Sequence, residues 1–385
     1  MKKTDAARAA AALVCALGAG SAAAQASSNL TIFGGVDGNV TRVRSEGRGS
    51  MWQVRDAGNY VTKLGFTGNE DLGGGYRAHF YLESQASSDT GNGVATNTNN
   101  RVTGSSTTGG LTWNRKATVS LFTPMGEVRF GRDYTPPFAP VAYFDPWGTA
   151  GVGSSVNHQP IYKGTLALPT LVRVSNSVAY HIPRSLVPGL QLYVQGAAGE
   201  GTGPRFLGLG GSYMKGPLLI AGGVSRTDAP LTDMAAALTG PTVSSDNKLS
   251  VWSIGAWYTL PGNFRLMGFH HSQTLDAYGS LATPALGTER DREVADTLLG
   301  VSWGINTYTL KASYVMRNDK GVENADSRQI ALGVTNNLSK RTAVYVTGVQ
   351  IQNKNTASYN YIASGFNPIP GGTARAIQAG IAHNF

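Results

Sequence analysis

The sequence predicts an all-β fold, a 16-stranded antiparallel transmembrane β-barrel with a long loop folded into the lumen. Three observations lead to it: an alternating C-terminal segment, a secretory-type leader, and a regular succession of short turns and long polar loops. No apolar run after the leader reaches the length of a membrane helix, so strands are left to cross a membrane.

The C-terminal segment, residues 376–385, has the pattern of a strand with two unlike faces. Ile377, Ile381 and Phe385 fall on one mostly apolar face, and the alternate residues are small or polar. This period of two indicates an apolar medium on one side and a wet or crowded space on the other. A closed barrel pairs its last strand with its first and leaves no edge in lipid, so we expect the strand ending at Phe385 to close the barrel.

The first 24 residues have the layout of a cleaved secretory signal peptide. Two lysines precede an apolar stretch over residues 9–17, and Ala22-Ala23-Ala24 offers a cleavage site of the A-x-A type. The apolar stretch is too short to span a bilayer comfortably, which disfavours a permanent anchor. It also continues past Cys15, which disfavours lipidation. The predicted mature chain, residues 25–385, is a single barrel domain without cysteine.

The chain is basic, with a formal net charge of +9, of which about +7 remains after the predicted cleavage. Nucleic-acid binding is one explanation of such a balance, but there is no basic run and no zinc-ligand spacing to support it. A basic pore lining or contacts with anionic lipid explain the charge equally well. We therefore expect no nucleic-acid partner.

Segments of about ten alternating residues recur along the chain, joined in turn by tight turns and long polar loops. Gly, Pro and Asn supply the backbone angles of the tight turns, and long polar loops lie at 89–110, 227–248, 275–292 and 353–373. This asymmetry is typical of barrels in outer membranes, and an even strand number brings both termini to one side. The predicted strands are 29–40, 59–69, 76–86, 112–123, 127–135, 172–182, 189–199, 206–215, 218–227, 249–260, 264–274, 293–304, 307–317, 328–337, 342–353 and 375–385.

One connection, about residues 135–172, is too long for a simple hairpin. Three prolines between residues 135 and 140 stiffen its start, and Phe138, Tyr143, Phe144 and Trp147 give it apolar surface to pack. Connections of this length in compact proteins are usually functional or disordered, and the aromatic content disfavours disorder. We interpret it as a loop inserted into the lumen that narrows the channel; the alternative is an ordered surface flap.

Several segments resemble those of the general porins of Gram-negative outer membranes, closest to the beta-proteobacterial type. The most specific is KLGFTGNEDLGGG at 63–75, which is similar to the family's second hairpin. The others, besides the terminal strand, are LTIFGGVDG at 30–38, NRKATVSL at 114–121, FGRDY at 130–134 and RVSNSVAY at 173–180. Together they cover the whole predicted mature chain.

The resemblance implies a barrel, usually a trimer, in which each subunit holds a water-filled pore narrowed by an inserted third loop. It also implies acids on that loop facing basic residues on the wall. By motif position, the wall residues would be Lys63, Arg115 and Arg173, and Asp145 would be the loop acid. Strand parity supports Lys63 facing inward, whereas for Arg115 the parity is ambiguous. Phe385 would serve as the membrane assembly signal.

The sequence departs from the family pattern in two ways. Asp145 is the one acid in the middle of the loop, where some general porins carry several, and Lys63 stands where an arginine is commoner. Lysine is the more flexible point charge of the two. Because few acids oppose a basic wall, we expect anion preference or weak selectivity.

The function that we expect is passive diffusion of small hydrophilic solutes and ions across the outer membrane. We expect the chain to form a homotrimer. Its expected partners are outer-membrane lipid and lipopolysaccharide, and the barrel-assembly machinery during insertion. Three alternatives stay open: a channel selective for sugars or aromatic solutes, a barrel enzyme, and an adhesin. No cofactor or metal is implied, because no pair among the six histidines has metal-ligand spacing with cysteine or carboxylates nearby.

Overall fold

A computed structural model describes most of the chain, in eight ranges. The predicted signal peptide, residues 1–24, lies outside them. No helix among the described residues is both long and apolar enough to cross a membrane. The described ranges are 29–94, 110–158, 170–199, 204–228, 248–276, 292–321, 324–361 and 365–385.

The described residues form a single antiparallel sheet of 17 strands. The sheet contains β1 Asn29–Ser45, β2 Gly49–Arg55, β3 Lys63–Gly73, β4 Tyr76–Gln85, β5 Lys116–Thr123, β6 Gly126–Tyr134, β7 Arg173–His181, β8 Leu190–Ala197, β9 Arg205–Lys215, β10 Leu218–Asp228, β11 Lys248–Leu260, β12 Phe264–Asp276, β13 Arg292–Ile305, β14 Tyr308–Asp319, β15 Ser327–Asn337, β16 Thr342–Asn353 and β17 Thr373–Asn384. Both β2 and β3 pair with β1, one beyond the other, so they share one position in the wall. The 17 strands therefore make a 16-stranded barrel, which confirms the predicted fold class.

The sheet closes between its first and last strands. Strand β1 pairs with β17 from Gly35 opposite Asn384 to Ser45 opposite Ala374. Phe385 completes the seam, because its N–H donates to the Gly34 carbonyl at 3.0 Å and its own carbonyl accepts the Gly34 N–H at 3.1 Å. The predicted closure by the terminal strand is confirmed, and the role of Phe385 as an assembly signal stays a prediction.

The two faces of the wall differ in polarity as a membrane barrel requires. On β1, Asp37, Asn39 and Thr41 are buried on the inner face, and Val36 and Val40 are exposed on the outer one. The same alternation on other strands leaves apolar side chains exposed around the barrel. This apolar outer surface is the part that faces lipid.

The predictions for the first two strands, 29–40 and 59–69, were wrong at their boundaries. The first strand continues past residue 40 to Ser45, turns, and returns as β2, and the next long strand begins at Lys63 and not at residue 59. Residues 56–62 leave the wall because the buried Asp37 carboxylate accepts the backbone N–H groups of residues 58–60 at 2.9–3.0 Å. A charged acceptor facing three amides holds this segment against the inner wall in place of sheet pairing.

The connection between β6 and β7 contains the structure's one described α-helix, α1 Phe138–Phe144, and a short 3₁₀ turn at Ser155–His158. Asn29 and Phe385 lie at one end of the barrel, with the short turns that follow β3, β5, β9, β11, β13 and β15. The ends of the strands that border the long connections lie at the other end, together with the turn between β1 and β2. By the usual asymmetry of such barrels, the end with the long connections is extracellular.

Candidate functional site

Helix α1 is packed against the inner wall through one apolar face. Phe138, Val141 and Phe144, spaced by three residues, are buried in a cluster with wall side chains of β10 and β12–β14. Phe144 also meets Trp257 of β11 edge to face, with ring centroids 5.6 Å apart. The described part of the connection therefore lies inside the barrel, so the prediction of an inserted loop is confirmed and the alternative of a surface flap is not.

The described part of the loop after α1, up to His158, is held to the wall by hydrogen bonds between buried groups. The Trp147 indole donates to Ser313 Oγ of β14 at 2.9 Å. Gln329 of β15 donates to the loop carbonyls of Gly153 and Ser154 at 2.9 and 3.1 Å, and its own carbonyl accepts Asn157 Nδ2 at 3.1 Å. Such satisfied buried contacts fix the loop in one position.

Glycines on the inner wall make room for the rigid parts of the loop. A Cβ at Gly300 would lie 2.5 Å from Pro146 Cγ, and one at Gly333 would lie 2.8 Å from the Trp147 ring. A Cβ at Gly208 would lie 2.9 Å from Pro136 Cγ. The wall from β9 to β15 thus lacks side chains at the positions where prolines and a tryptophan of the loop contact it.

The opposite part of the wall, from β3 to β7, carries a basic cluster. Lys63 Nζ lies 3.1 Å from Glu83 Oε2, and the Arg115 guanidinium pairs with the other oxygen of Glu83. Tyr81 donates to Glu83 Oε2 at 2.8 Å. Lys63 therefore faces inward as its strand parity predicted, and Arg115, just before β5, reaches the same carboxylate.

Arg173 joins this cluster through Tyr134. The Tyr134 hydroxyl accepts a hydrogen bond from Arg115 and one from Arg173, each at 3.0 Å. The Arg173 guanidinium also lies 4.6 Å from the centroid of the Tyr134 ring. Tyr134 in turn stacks on Phe138 of α1 at 5.3 Å, so the cluster adjoins the start of the inserted loop.

The three predicted wall residues thus come together: Lys63 and Arg115 bind the Glu83 carboxylate, and Arg173 shares the Tyr134 hydroxyl with Arg115. We call Lys63, Glu83, Arg115 and Arg173 the basic cluster; its formal charge is +2. Beside it on the same inner wall, Lys116 and Arg129 bind Asp133 at 2.9 and 2.6 Å. Arg129 also binds Glu127, so those neighbouring charges balance. Of these two groups, the basic cluster is the one with a surplus of positive charge.

Asp145 is placed differently from the three basic residues. It is 4% exposed, and its oxygens accept Trp147 N at 2.9 Å, Ser155 N at 2.9 Å and Ser155 Oγ at 2.8 Å. Burial raises the pKa of Asp145, while the hydrogen bonds from Ser155 and Trp147 oppose that rise. All three of these donors belong to the loop itself, so the carboxylate braces the loop internally.

Sequence reasoning missed Glu83 and Tyr134, the two groups that bring the basic residues together. The signal for Glu83 was its parity: it lies on β4, on the inward side of a hairpin whose other strand begins at Lys63. Tyr134 ends β6, where a register shift between Gly131 and Asp133 hides its direction. Among the described residues, no group of three His, Cys, Asp or Glu side chains could hold a metal ion.

A closed barrel with a polar inner face, an apolar outer face and an inserted loop defines an outer-membrane channel. The chain matches the Gram-negative porin family over residues 9–356 and belongs to that family. It is therefore a porin of the Gram-negative outer membrane, a channel for the diffusion of small hydrophilic solutes.

Similar proteins cover almost the whole chain. Outer membrane porin protein 32 of Delftia acidovorans is 28% identical over 379 residues, which are 95% of this chain and 97% of that protein. The anion-selective porin from Comamonas acidovorans has a TM-score of 0.75 at 26% identity, covering 93% of this chain and 100% of that one. The in-vitro folded, trimeric outer membrane protein OmpT of Vibrio cholerae has a TM-score of 0.59 at 11% identity, covering 93% and 99%, and shows the shared fold alone.

Proposed function

We propose that the chain is a general diffusion porin with a preference for anions, in which solutes pass between the inserted loop and the basic cluster. The observation that carries the proposal is the surplus of positive charge on one side of the lumen. Lys63 and Arg115 share the carboxylate of Glu83 there, and Arg173 lies beside them, bonded to the Arg115 carbonyl and the Tyr134 hydroxyl. A cationic ring at a narrow point favours the entry of anions and repels cations.

The position of the loop supports this passage. Its buried face packs on β10–β14, so the space left for solutes lies towards β3–β7, where the basic cluster projects. Asp145 is turned into the loop and contributes little to the field in that space. The acid that opposes the basic residues is Glu83 of the wall.

General diffusion fits the structure better than a channel selective for aromatic solutes. A track for such solutes needs exposed rings along one wall. Of the four loop aromatics, Phe138, Phe144 and Trp147 are packed into the wall, and Tyr143 alone is exposed, at 50%. The described loop therefore offers one exposed ring and no track of its own.

The test is the conductance of the purified protein in a planar bilayer, with the reversal potential measured across a tenfold gradient of KCl. We expect stable open channels and a reversal potential of the sign that marks chloride as the more permeant ion. A cation-selective sign would overturn the anion preference while leaving the channel function intact. Absence of conductance from correctly folded protein would overturn the proposal that solutes pass between the loop and the basic cluster.

We further infer that the channel is a homotrimer, as the trimeric form of the Vibrio cholerae neighbour suggests. Conductance steps that occur in groups of three, together with the mass of the native complex in detergent, test this inference. A monomeric mass with single steps would contradict it.

A further inference from the structure

Two aromatic rings confine the Lys63 ammonium in addition to the Glu83 carboxylate. Lys63 Nζ lies 5.3 Å from the centroid of the Tyr60 ring and 5.9 Å from that of the Phe33 ring. Both distances are within the range over which the face of an aromatic ring attracts a cation. Together with the carboxylate oxygen at 3.1 Å, the rings give the ammonium one charged and two aromatic neighbours.

Glycines on the inner wall make room for both rings. A Cβ at Gly35 of β1 would lie 2.5 Å from Cε1 of Tyr60, and the three atoms nearest to a Cβ at Gly65 of β3 all belong to the Phe33 ring. Gly35 is directly opposite Lys63 in the register of β1 and β3. Gly65 is two residues beyond Lys63 and therefore on the same face of the sheet. The wall on both sides of the lysine is thus shaped to hold a ring.

The Tyr60 ring reaches the lysine because residues 56–62 leave the wall. The Asp37 carboxylate accepts the Tyr60 N–H at 3.0 Å. On the other side of the segment, the Asn59 side-chain oxygen lies 3.3 Å from Lys311 Nζ of β14. Hydrogen bonds to two separate parts of the barrel hold the segment in place, and a ring on a fixed segment can restrict a flexible side chain next to it.

A lysine at this position holds its charge less firmly than an arginine would. A guanidinium is a planar fork that pairs a carboxylate through two parallel hydrogen bonds, whereas an ammonium is a compact charge on a flexible four-carbon stem. One oxygen of Glu83 is also bound by Arg115. The position of the Lys63 charge therefore depends on what surrounds it. The side chain remains 19% exposed, so this position matters to ions in the lumen.

We infer that Tyr60 is a positioning residue for ion selectivity: its ring, together with that of Phe33, holds the Lys63 ammonium at the edge of the passage. Without the Tyr60 ring, the lysine stem can withdraw into the space left beside Gly35, away from passing ions. The energy between two charges falls with distance, so the anion preference falls as well. The inference rests on the proposed passage beside the basic cluster and adds to it an uncharged residue that sets selectivity.

The experiment compares Tyr60→Leu with Tyr60→Phe, which keeps the ring and serves as the matched control. Each substitution is made in the wild type and in Lys63→Gln, where there is no ammonium to position. Tyr60→Leu is also combined with Lys63→Arg. The measurement is the reversal potential across a KCl gradient with a mean concentration near 0.1 M. No substitution at residue 60 changes the formal charge, so a shift reports where a charge lies.

We expect Tyr60→Leu to lower the ratio of chloride to potassium permeability about twofold. This size corresponds to a withdrawal of the charge by about 3 Å from an ion that passes about 5 Å away. Tyr60→Phe should leave the ratio unchanged, and Tyr60→Leu should have no effect in Lys63→Gln. Tyr60→Leu/Lys63→Arg should regain the ratio of the wild type, because the guanidinium fork holds itself on Glu83.

Phe33→Leu supplies a second variant that tests the same ring effect if Tyr60→Leu does not fold. Its ring is the more distant of the two from the ammonium. We therefore expect a shift towards potassium that is smaller than the shift in Tyr60→Leu. An unchanged or increased chloride preference in both leucine variants would overturn the inference.

The two remaining controls decide what the ring does. A shift in Tyr60→Phe equal to that in Tyr60→Leu would overturn the inference, because the ring would then be irrelevant. The same shift in Lys63→Gln would overturn it too, because Tyr60 would then act without the lysine. All shifts are measured relative to the parent protein. A cation-selective wild type that still shifts towards potassium in Tyr60→Leu would therefore overturn the anion preference alone, and an anion-selective wild type without a shift would overturn this inference alone.

Discussion

Neutralising Lys63 tests whether the basic cluster sets ion selectivity. Lys63 is the simplest member to change, because its one ion pair is with Glu83, which keeps Arg115 and Tyr81 as partners when the lysine is lost. Lys63→Gln lowers the formal charge of the basic cluster from +2 to +1, and Lys63→Glu lowers it to zero. The fold should be retained in both variants.

The expected size follows from Coulomb's law in a water-filled pore. One unit charge about 5 Å from a passing ion contributes about 0.8 kcal/mol at a dielectric constant near 80, and about 0.5 kcal/mol after screening at 0.1 M salt. Anions and cations shift in opposite directions, so the ratio of their permeabilities changes by about 1 kcal/mol, or about fivefold. Lys63→Glu should change the ratio about 25-fold in the same direction, towards cations.

The assay is the reversal potential across a KCl gradient with a mean concentration near 0.1 M, with Lys248→Gln at the exposed extracellular end of β11 as the control. At 1 M salt the effect of Lys63→Gln should shrink to less than about twofold, because the screening length falls to about 3 Å. A shift in reversal potential that does not depend on salt concentration, or one that equals the shift in the control, would refute the electrostatic role of Lys63.

Three further predictions concern the parts that hold the lumen in shape. Gly300→Val should lower the single-channel conductance, because the new side chain would push Pro146 and the loop towards the open passage. Gly348→Val should leave the conductance unchanged, because a Cβ at this position would have no other atom within 4 Å. Asp145→Asn should leave the reversal potential unchanged but lower stability by about 1–3 kcal/mol in chemical denaturation, since an amide cannot satisfy every buried donor that the carboxylate accepts; a shift towards anions would instead place this acid in the pore. Asp37→Asn should speed hydrogen exchange at the amides of residues 58–60, and unchanged protection there would contradict its role in holding that segment.

The barrel could be predicted from the sequence because its physics is periodic. Alternation along 376–385 predicts a strand with one lipid face, and closure predicts its pairing with the first strand, as the bonds of Phe385 show. Parity alone also placed Lys63 on the inner face. These inferences need local patterns and one global rule, that no sheet edge is left in lipid.

The centre of the site could not be predicted in the same way because it depends on register and on long-range contacts. Glu83 meets Lys63 and Arg115 only when three strands are aligned, and a one-residue slip would turn it outward. The departure of residues 56–62 from the wall depends on Asp37, more than 15 residues away in sequence. The burial of Asp145 could not be predicted either. Its partners Trp147 and Ser155 reach it through the fold of the loop, which follows no alternating sequence pattern.

The two halves of the inner wall have different roles: one supports the inserted loop, and the other carries the charged side chains. From β9 to β15 the inner face offers glycine at Gly208, Gly300 and Gly333, where prolines and a tryptophan of the loop press close. From β3 to β7 it offers charge, and the loop begins there at Tyr134, between the basic cluster and Phe138. Because close packing fixes the loop on the half from β9 to β15, we place the proposed passage on the charged half, where the field of the basic cluster would act over a short distance. Changes on the half from β9 to β15 should therefore alter the width of the passage, and changes on the charged half should alter which ions use it.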